Sequence, residues 1–453
     1  MFLRGSEWRK WDLHVHTPSS LIQHYGGNTE EVWEKFILDL ESLQKEFKVI
    51  GINDYLFLDG YEKFLEYKKS GRLKNIDLIL PVLEFRIEKF AGVDFGNLKR
   101  INLHVIFSNE LKIETIKSQF LNGLEQSYKL EKDGNEWNRA ITKESLIELG
   151  KKIKKSVPAE ELSKYKGDLE EGFNSLNVDE KKIFELLKRD CFKDKYLISI
   201  GKTEWEALNW SDSSIATKKS IINKVHIVFT AGESIEKCNK SKNKLKMQNV
   251  NDLLLDCSDA HYFSNSNEKD KIGNCFTWIK SEPIFEGLKQ IIYDPKSRIA
   301  ILENAPLKPN NIIESITLNI SEDSKIHVKQ KDGPEKEESF CFAGVKNTFY
   351  LSPFFNCFIG GRGVGKSTIL NFLGQHSKDP NSSKMFWEKI QPLFDPSDQN
   401  IFSFDGIAMF EFIGQNEVER FATNKEAFTN AIYERANILS EGLLEKNAFN
   451  SLK

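Results

Sequence analysis

Several protein classes are disfavoured by what this chain of 453 residues lacks. Its six cysteines are scattered, with no CxxC pair, which argues against a disulfide framework or a structural zinc site and is typical of reduced thiols in a cytosol. No apolar run is long enough to span a membrane, and the amino terminus has no apolar signal core. We therefore expect a cytoplasmic protein. A net charge of −3 argues against a globally basic nucleic-acid binder.

The remaining composition is that of a globular protein with more than one domain. Residues 1–305 alternate strand-like and helix-like segments in the manner of α/β proteins, with a helix-patterned insertion at about 110–190. A proline-containing linker, "ENAPLKPNN", precedes a second region, 306–453. There, "IIESITLNI" and "SKIHVKQ" predict a β-hairpin, and "NCFIGGRGVGKSTILNFLG" predicts a strand, a glycine-rich loop and a helix.

Two of the eight histidines, His14 and His16, lie two positions apart at the end of a probable strand. Alternate residues of a strand share a face, so both imidazoles can point to one place. The run ends in Thr-Pro-Ser-Ser, which predicts a loop at this point. Two imidazoles that converge where a strand meets a loop suit a metal site.

Further candidate ligands also lie at or just beyond the ends of strand-like runs, where the strands of an α/β barrel converge on one mouth. They are Asp54, Glu84, His104, Asp259 and His261. Taken singly, each has an ordinary structural interpretation, such as a hydrogen-bonded buried side chain. Taken together, they favour a site with nitrogen and oxygen ligands for Zn, Mn or Fe, which is typical of hydrolytic centres. We expect the other histidines, His226, His327 and His376, to be structural.

The order of the motifs "DLHVHT", "GIND", "VLEF", "INLHV" and "CSDAH" resembles that of the PHP (polymerase and histidinol phosphatase) domain. The resemblance covers roughly residues 8–300 and implies a distorted (β/α)7 barrel that hydrolyses phosphoesters with bound metals. The stretch "GNCFTWIKSEPIFEGLKQIIYDPKSRIAI" is similar to the segment that follows the PHP domain in TrlF-type proteins, in which PHP domains are fused to SMC-like ATPases.

The resemblance implies a set of metal ligands, namely His14, His16, Glu84, His104, Asp259 and His261. The family usually has Thr-Asp-His where this chain reads Asn53-Asp54-Tyr55, so Tyr55 replaces one histidine ligand. Two divalent metals, rather than three, are therefore expected.

Other candidate residues come from the loops. His24 is the candidate for the loop ligand after the first histidine pair, and "GKTEW" offers Lys202 as a phosphate contact and Glu204 as a metal ligand. We take Lys202 and Asp54 as the candidate catalytic residues.

The motif "GGRGVGKS" (Gly360–Ser367) fits the phosphate-binding loop pattern G-x-x-x-x-G-K-[ST]. Backbone N–H groups of such a loop surround phosphates, and the helix that follows adds its positive dipole end. Lys366 would reach the terminal phosphates and Ser367 would hold Mg²⁺, which predicts ATP with Mg as the ligand. The candidate binding residues are Gly360, Gly361, Gly363, Gly365, Lys366, Ser367 and Thr368.

The later stretch "MFEFIGQNEVERF" resembles the Q-loop strand of ABC and SMC-type ATPases, with Gln415 as the candidate sensor of Mg²⁺ and the attacking water. No Walker B carboxylates or signature motif are recognisable before Lys453. We therefore expect only the amino-terminal lobe of an SMC/ABC-like ATPase. The chain would be a portion of a longer protein, a homo-oligomer, or the partner of a chain that carries the missing lobe, and would bind ATP weakly with little turnover.

Two functional hypotheses follow from these motifs. The first is a metal-dependent phosphoesterase that acts on nucleic acid, DNA or RNA, under control of the ATPase module; the resemblance further implies bacterial antiviral defence. The second is an ATP-dependent binding or scaffold protein with a degenerate PHP domain, for which Tyr55 is the main support.

Overall fold

The structure is a computed structural model that describes residues 4–91, 99–201, 215–232, 234–328, 334–377, 381–406 and 409–414, with the isolated positions 422–424, 426 and 429. The chain forms two compact units. The first is Ser6–Leu307, and the second comprises the chain from Lys308 onward together with the residues before Ser6. None of the helices in the described ranges is long and apolar enough to cross a bilayer.

The first unit is built on a nine-stranded sheet. In chain order its strands are β1 (Glu7–Val15), β2 (Phe47–Asn53), β3 (Leu78–Ala91), β4 (Lys99–Phe107), β7 (Tyr196–Ile200), β8 (Ile227–Ala231), β9 (Leu254–Cys257), β10 (Thr277–Ser281) and β11 (Ile299–Ile301). The two strands between β4 and β7 in the chain, β5 (Glu125–Tyr128) and β6 (Trp137–Ala140), form a separate hairpin. The spatial order is β11-β10-β1-β2-β3-β4-β7-β8-β9, in which β4 and β10 run antiparallel to their neighbours.

The sheet is nearly closed, because the chain beyond β9 returns to β1. Val15 and Ala260 form a parallel bridge. The His16 N–H donates to the Ala260 carbonyl at 3.0 Å, and the Ala260 N–H donates to the His14 carbonyl at 3.2 Å. These contacts confirm a mixed α/β unit with a barrel-like sheet; its finer assignment to the (β/α)7 PHP barrel stays a prediction.

Helices surround this sheet. They are α1 (Glu30–Glu41), α2 (Asp59–Lys69), α3 (Ile113–Gln119), α4 (Lys143–Lys155), α5 (Asp168–Ser175), α6 (Glu180–Leu187), α7 (Ile215–Lys224), α8 (Ile235–Met247), α9 (Phe285–Tyr293) and α10 (Pro295–Arg298). The stretch "TEEVWEKFILDLESLQKEF" (Thr29–Phe47) predicts an amphipathic helix that opens with a threonine cap. Thr29 does cap α1, by accepting a hydrogen bond from the Val32 N–H. This helix ends at Glu41, before the predicted end at Phe47.

Side chains alternate along the strands between two apolar cores. The inner core lies on the concave face, where Leu80 and Val82 of β3 and Phe229 of β8 pack with the buried face of α9. The outer core lies between the sheet and the other helices and includes Leu83 and Phe85 of β3. Because every second residue of β3 points to the inner face, Glu84 lies on this face two positions after Val82.

The predicted insertion contains α3–α6 together with the β5–β6 hairpin. Within it, α4 and α5 touch through their backbones. A Cβ atom at Gly150 would overlap the Asp168 carbonyl, and a Cβ atom at Gly172 would overlap the Leu146 carbonyl. These two glycines therefore set the close approach of the two helices.

The second unit has two small sheets. Its strands are β12 (Ser315–Asn319), β13 (Lys325–Val328), β14 (Lys336–Ser339), β15 (Lys346–Tyr350) and β16 (Phe402–Asp405), and its helices are α11 (Lys366–Gln375) and α12 (Asn381–Ile390). The predicted hairpin between the first two of these strands is wrong: β12 pairs with β15 and β16, whereas β13 pairs with β14. Phe372, Trp387 and Phe402 form the centre of its core.

Candidate metal centre and phosphate-binding loop

A break in the register of β1 directs His14, and with it His16 just beyond the strand, to the inner face. Between Asp12 and Val15, β1 advances by one residue more than β2. Such a bulge turns successive side chains to the same face. Leu13 accordingly packs in the inner core and Val15 in the outer core, while His14 opens onto the inner cavity. Simple alternation would place Leu13 and His14 on opposite faces.

Gly51 of β2 lies against this bulge. A Cβ atom at Gly51 would come within 2.6 Å of the Leu13 carbonyl oxygen and 2.9 Å of the Leu13 Cα atom. Because real side chains do not approach a backbone so closely, the bulge requires glycine at this position.

Candidate ligands from β1, β3, β4 and the segment after β9 meet at the inner face. The structure brings them into two groups that could hold a metal ion, both of which contain His14. The first group is His14, His16 and Asp259, and the second is His14, Glu84 and His104. His14 Nε2 lies 3.1 Å from Asp259 Oδ1, 3.3 Å from Glu84 Oε2 and 3.1 Å from His16 Nε2.

The sequence predicts that Glu84 and His104 lie at the ends of strands, and this prediction is wrong. They pair directly across the antiparallel strands β3 and β4, both of which continue beyond them. Two amide side chains that sequence reasoning missed hold Glu84 in place: Asn53 Nδ2 donates to Oε2 at 2.8 Å and Asn102 Nδ2 donates to Oε1 at 2.6 Å. The alternation of Asn102 with His104 along β4 was the available signal.

His16 is oriented by a neighbour outside the group. Its Nδ1 atom lies 3.1 Å from Ser20 Oγ, which leaves Nε2 for the inner site. Outer hydrogen bonds of this kind fix the tautomer and ring orientation of metal-binding histidines.

The site concentrates negative charge around His14. Burial alone would lower the pKa of His14, but the charges of Asp259 and Glu84 raise it to about 9. Burial and the neighbouring His261 lower the pKa of His16 to about 3. Burial also disfavours the Glu84 carboxylate, yet His104 and His14 hold its pKa well below the usual range. The two carboxylates therefore favour positive charge beside His14, which a divalent ion would also supply.

The donor set fits a metal. His104 is buried, and within the described part of the chain neither of its ring nitrogens makes a hydrogen bond, although Nε2 lies 3.5 Å from Glu84 Oε2. An unpaired buried imidazole is costly in a folded protein. Imidazole nitrogens and carboxylate oxygens without sulfur suit Zn, Mn or Fe.

Two further histidines lie beside the two groups rather than in them. His261 stacks on His16 with ring centroids 4.0 Å apart, while its Nε2 atom lies 3.4 Å from the Tyr55 hydroxyl. His24 stacks on Tyr262 and lies 6.4 Å from the His261 ring. Tyr55, which replaces the expected histidine, thus contacts His261, a predicted ligand that lies outside both groups.

Asp54 supports the loop after the histidine pair. Its carboxylate accepts hydrogen bonds from the Thr17 N–H at 2.7 Å and the Thr17 hydroxyl at 2.6 Å. Burial raises the pKa of Asp54 to about 7. A Cβ atom at Gly60 would overlap both side chains, so the start of α2 closes this contact. The structure gives Asp54 a positioning contact, whereas the sequence predicts a catalytic role.

A cavity of about 190 Å³ opens above the two groups. Its lining includes Asn102, Lys269 and Asp270, besides His14 and Glu84. Lys269 and Asp270 belong to the loop after β9, and no pattern in the sequence singles them out. The predicted residues Lys202 and Glu204 lie outside the described residues.

Two positions of the glycine-rich loop in the second unit have a backbone conformation that favours glycine. Gly363 and Gly365 have φ values of 84° and 86°, in the left-handed region that favours glycine. Gly365 is the N-cap of α11, which begins at Lys366 as predicted. Lys366 Nζ donates to the carbonyls of Gly360 at 2.7 Å and Gly361 at 2.6 Å. The loop thus curls around its own lysine, and the N-terminal end of α11 adjoins it.

The two strands that the sequence predicts before and after the glycine-rich loop are absent from the described residues at 356–361 and 409–414. Residues 356–361 form no strand, and Ile359 is 90% exposed. The predicted Q-loop strand is absent from residues 409–414, and Gln415 lies outside the described residues. Ser367 is exposed at the start of α11, whereas Thr368 is buried.

No model of a known protein family matches the chain, and no curated protein matches it. The resemblance to the PHP and SMC-like families therefore stays a prediction that rests on the motifs.

Replacing Gly51 with Ala should disturb the candidate metal centre without removing a ligand. The added methyl group must push the β1 bulge away, and we expect a loss of about 1–3 kcal/mol in the free energy of unfolding, as for overpacked sites, together with weaker Mn²⁺ binding. Gly167→Ala, where the new Cβ would meet nothing within 4 Å, is the control. Unfolding curves and Mn²⁺ titration check both expectations; unchanged values for Gly51→Ala would show that the bulge does not depend on glycine.

Proposed function

We propose that the Ser6–Leu307 unit is a PHP-type, metal-dependent phosphoesterase that cleaves nucleic acid. The observation that carries this proposal is the pair of three-residue groups that share His14 at the base of an open cavity. Divalent ions held there would lower the pKa of a water molecule and stabilise charge on a phosphoryl group. The expected content is two ions of Mn, Zn or Fe.

The protein's own residues would act by binding and orientation. Asn53 and Asn102 keep both oxygens of Glu84 in fixed positions between the histidines. The cavity carries a further cation, Lys269, on its lining. A cationic side chain beside a metal centre would attract an anionic phosphoester to it.

We propose that the second unit binds ATP and controls this activity. The loop geometry supports it: left-handed glycines precede a helix N-terminus, and Lys366 lies against the loop. A triphosphate would replace the two carbonyl contacts of Lys366. Hydrolysis would further require a carboxylate that holds Mg²⁺ and a group that positions the attacking water.

The alternative is a scaffold protein whose PHP site is degenerate. The contact of Tyr55 with His261 favours it, because a tyrosine occupies the position of an expected ligand. Metal content discriminates between the two functions: under one equivalent of bound metal, with no phosphodiester hydrolysis, would favour the scaffold.

The double variant His14→Ala and His16→Ala tests the phosphoesterase. We expect loss of bound metal and of hydrolysis of a nitrophenyl phosphodiester, because each three-residue group loses at least one ligand, while circular dichroism shows a folded chain. His327→Ala, on β13 of the other unit, is the matched control and should leave both properties unchanged. Full activity in the double variant would refute the assignment.

Lys366→Ala tests the nucleotide site. We expect the wild-type chain to bind a fluorescent ATP analogue weakly and the variant to lose that binding, since the lysine supplies the only charge of the motif that reaches the terminal phosphates. Lys384→Ala, an exposed lysine of α12, is the control. Steady-state ATP hydrolysis by the isolated chain, abolished by Lys366→Ala, would instead mean that a Walker B carboxylate is already present.

A further inference from the structure

The strands that carry Glu84 and His104 continue past them, and each carries an arginine at an alternate position. Along β3, Arg86 follows Glu84 by two positions, and along β4, Arg100 lies beyond Asn102 on the side away from His104. Because alternate residues of a strand share a face, both arginines belong to the row of the metal ligands. Arg86 pairs directly with Asn102 across the two strands.

Arg86 is held in place without an anion. Its guanidinium lies 4.1 Å from the centre of the Phe173 ring, and Nη1 donates to Asn174 Oδ1 at 3.0 Å. In the described part of the chain, no Asp or Glu forms an ion pair with Arg86 or Arg100. Burial, and to a lesser extent the charge of Arg100, lowers the pKa of Arg86. By strand alternation, Arg86 and Arg100 place two positive charges on the row that carries Glu84 and His104.

The segment of the insertion that lies next to Arg86 is hydrogen-bonded to β3. Val178 donates its N–H to the Arg86 carbonyl at 2.8 Å and accepts from the Glu88 N–H at 3.0 Å, so a segment of the insertion is bonded to the backbone of β3. Helix α5, which supplies Phe173 and Asn174, is fixed against α4 by the glycine contacts described above. A guanidinium in such a setting keeps most of its donors free for a ligand in one orientation.

We propose that Arg86 and Arg100 bind the phosphate next to the one that is cleaved, so that the substrate is a phosphodiester chain rather than a phosphomonoester or an isolated diester. This inference rests on the proposed phosphoesterase function. Two residues along a strand span roughly 6.6 Å, which is comparable to the step between adjacent phosphates of an extended nucleic-acid strand. A planar guanidinium suits a phosphate in this position because it can donate two parallel hydrogen bonds.

The test compares a short single-stranded oligonucleotide, as DNA and as RNA, with a nitrophenyl phosphodiester that has no adjacent phosphate. The full chain is assayed with Mn²⁺ as wild type, Arg86→Gln, Arg100→Gln and Arg86→Lys. Gln keeps the stem of the side chain over Phe173, whereas Lys keeps the charge. Arg139→Gln on β6, where Arg139 pairs with Glu148, is the control for a lost arginine elsewhere.

For Arg86→Gln, we expect the ratio of kcat/KM for the oligonucleotide to kcat/KM for the small diester to fall roughly tenfold, with partial recovery in Arg86→Lys, because a charge-assisted hydrogen bond is lost. The slope of log K against log salt for oligonucleotide binding should decrease in magnitude by about 0.7 per lost phosphate contact. The DNA and RNA arms identify the sugar of the chain that is preferred.

Equal losses on both substrates, or no loss on either, would overturn the inference, because Arg86 would then only support α5 or the metal ligands. Absence of hydrolysis in the wild type would count against the proposed function alone. The inference would still be tested by fluorescence anisotropy: oligonucleotide binding whose salt slope is the same in wild type and Arg86→Gln would overturn it.

Discussion

Strand β1 must satisfy two requirements that regular strand geometry cannot meet together. Its apolar residues have to fill the inner core, and its histidines have to reach the same inner face. The bulge at Leu13 and His14 resolves the conflict, and Gly51 provides the space for it. At this place β1 also changes its neighbour, from β10 in its first half to the segment around Ala260 beyond. The same short segment of β1 thus closes the sheet and orients the histidines.

The charge of the site follows from that closure. The segment paired with β1 brings Asp259 towards His14, while Glu84 arrives from β3 with both oxygens bonded to amides. Amide donors stabilise a carboxylate without neutralising its charge. The imidazoles are therefore the groups that can compensate this charge in the absence of a metal. A divalent metal ion bound between these groups would supply the compensating positive charge.

Sequence patterns predicted those features that depend on local spacing. The histidine pair, the cap at Thr29 and the glycine-rich loop before α11 are each set by residues close together in the chain. Features that depend on distant segments were not predictable. The alternation of Leu13 with Val15 gives no hint of the bulge, and the pairing of β13 with β14 instead of β12 depends on which strands fill the other sheet.

The contacts of Asp54 and Arg86, which lie outside the two ligand groups, also depend on segments that are distant in the chain. The catalytic role of Asp54 stays a prediction, whereas its contact with Thr17 depends on how α2 packs, which a motif does not encode. Arg86 attracts no notice in the sequence, because surface arginines are common. It gains significance only when the insertion places Phe173 beside it and, among the described residues, no carboxylate forms an ion pair with it.

Anomalous scattering from crystals grown with Mn²⁺ tests the central claim most directly, because it locates the metal without reference to activity. We expect peaks bounded by His14 and the ligands of its two groups, at no more than two fully occupied positions. Absence of a peak beside His14, with Mn²⁺ bound elsewhere or not at all, would contradict it.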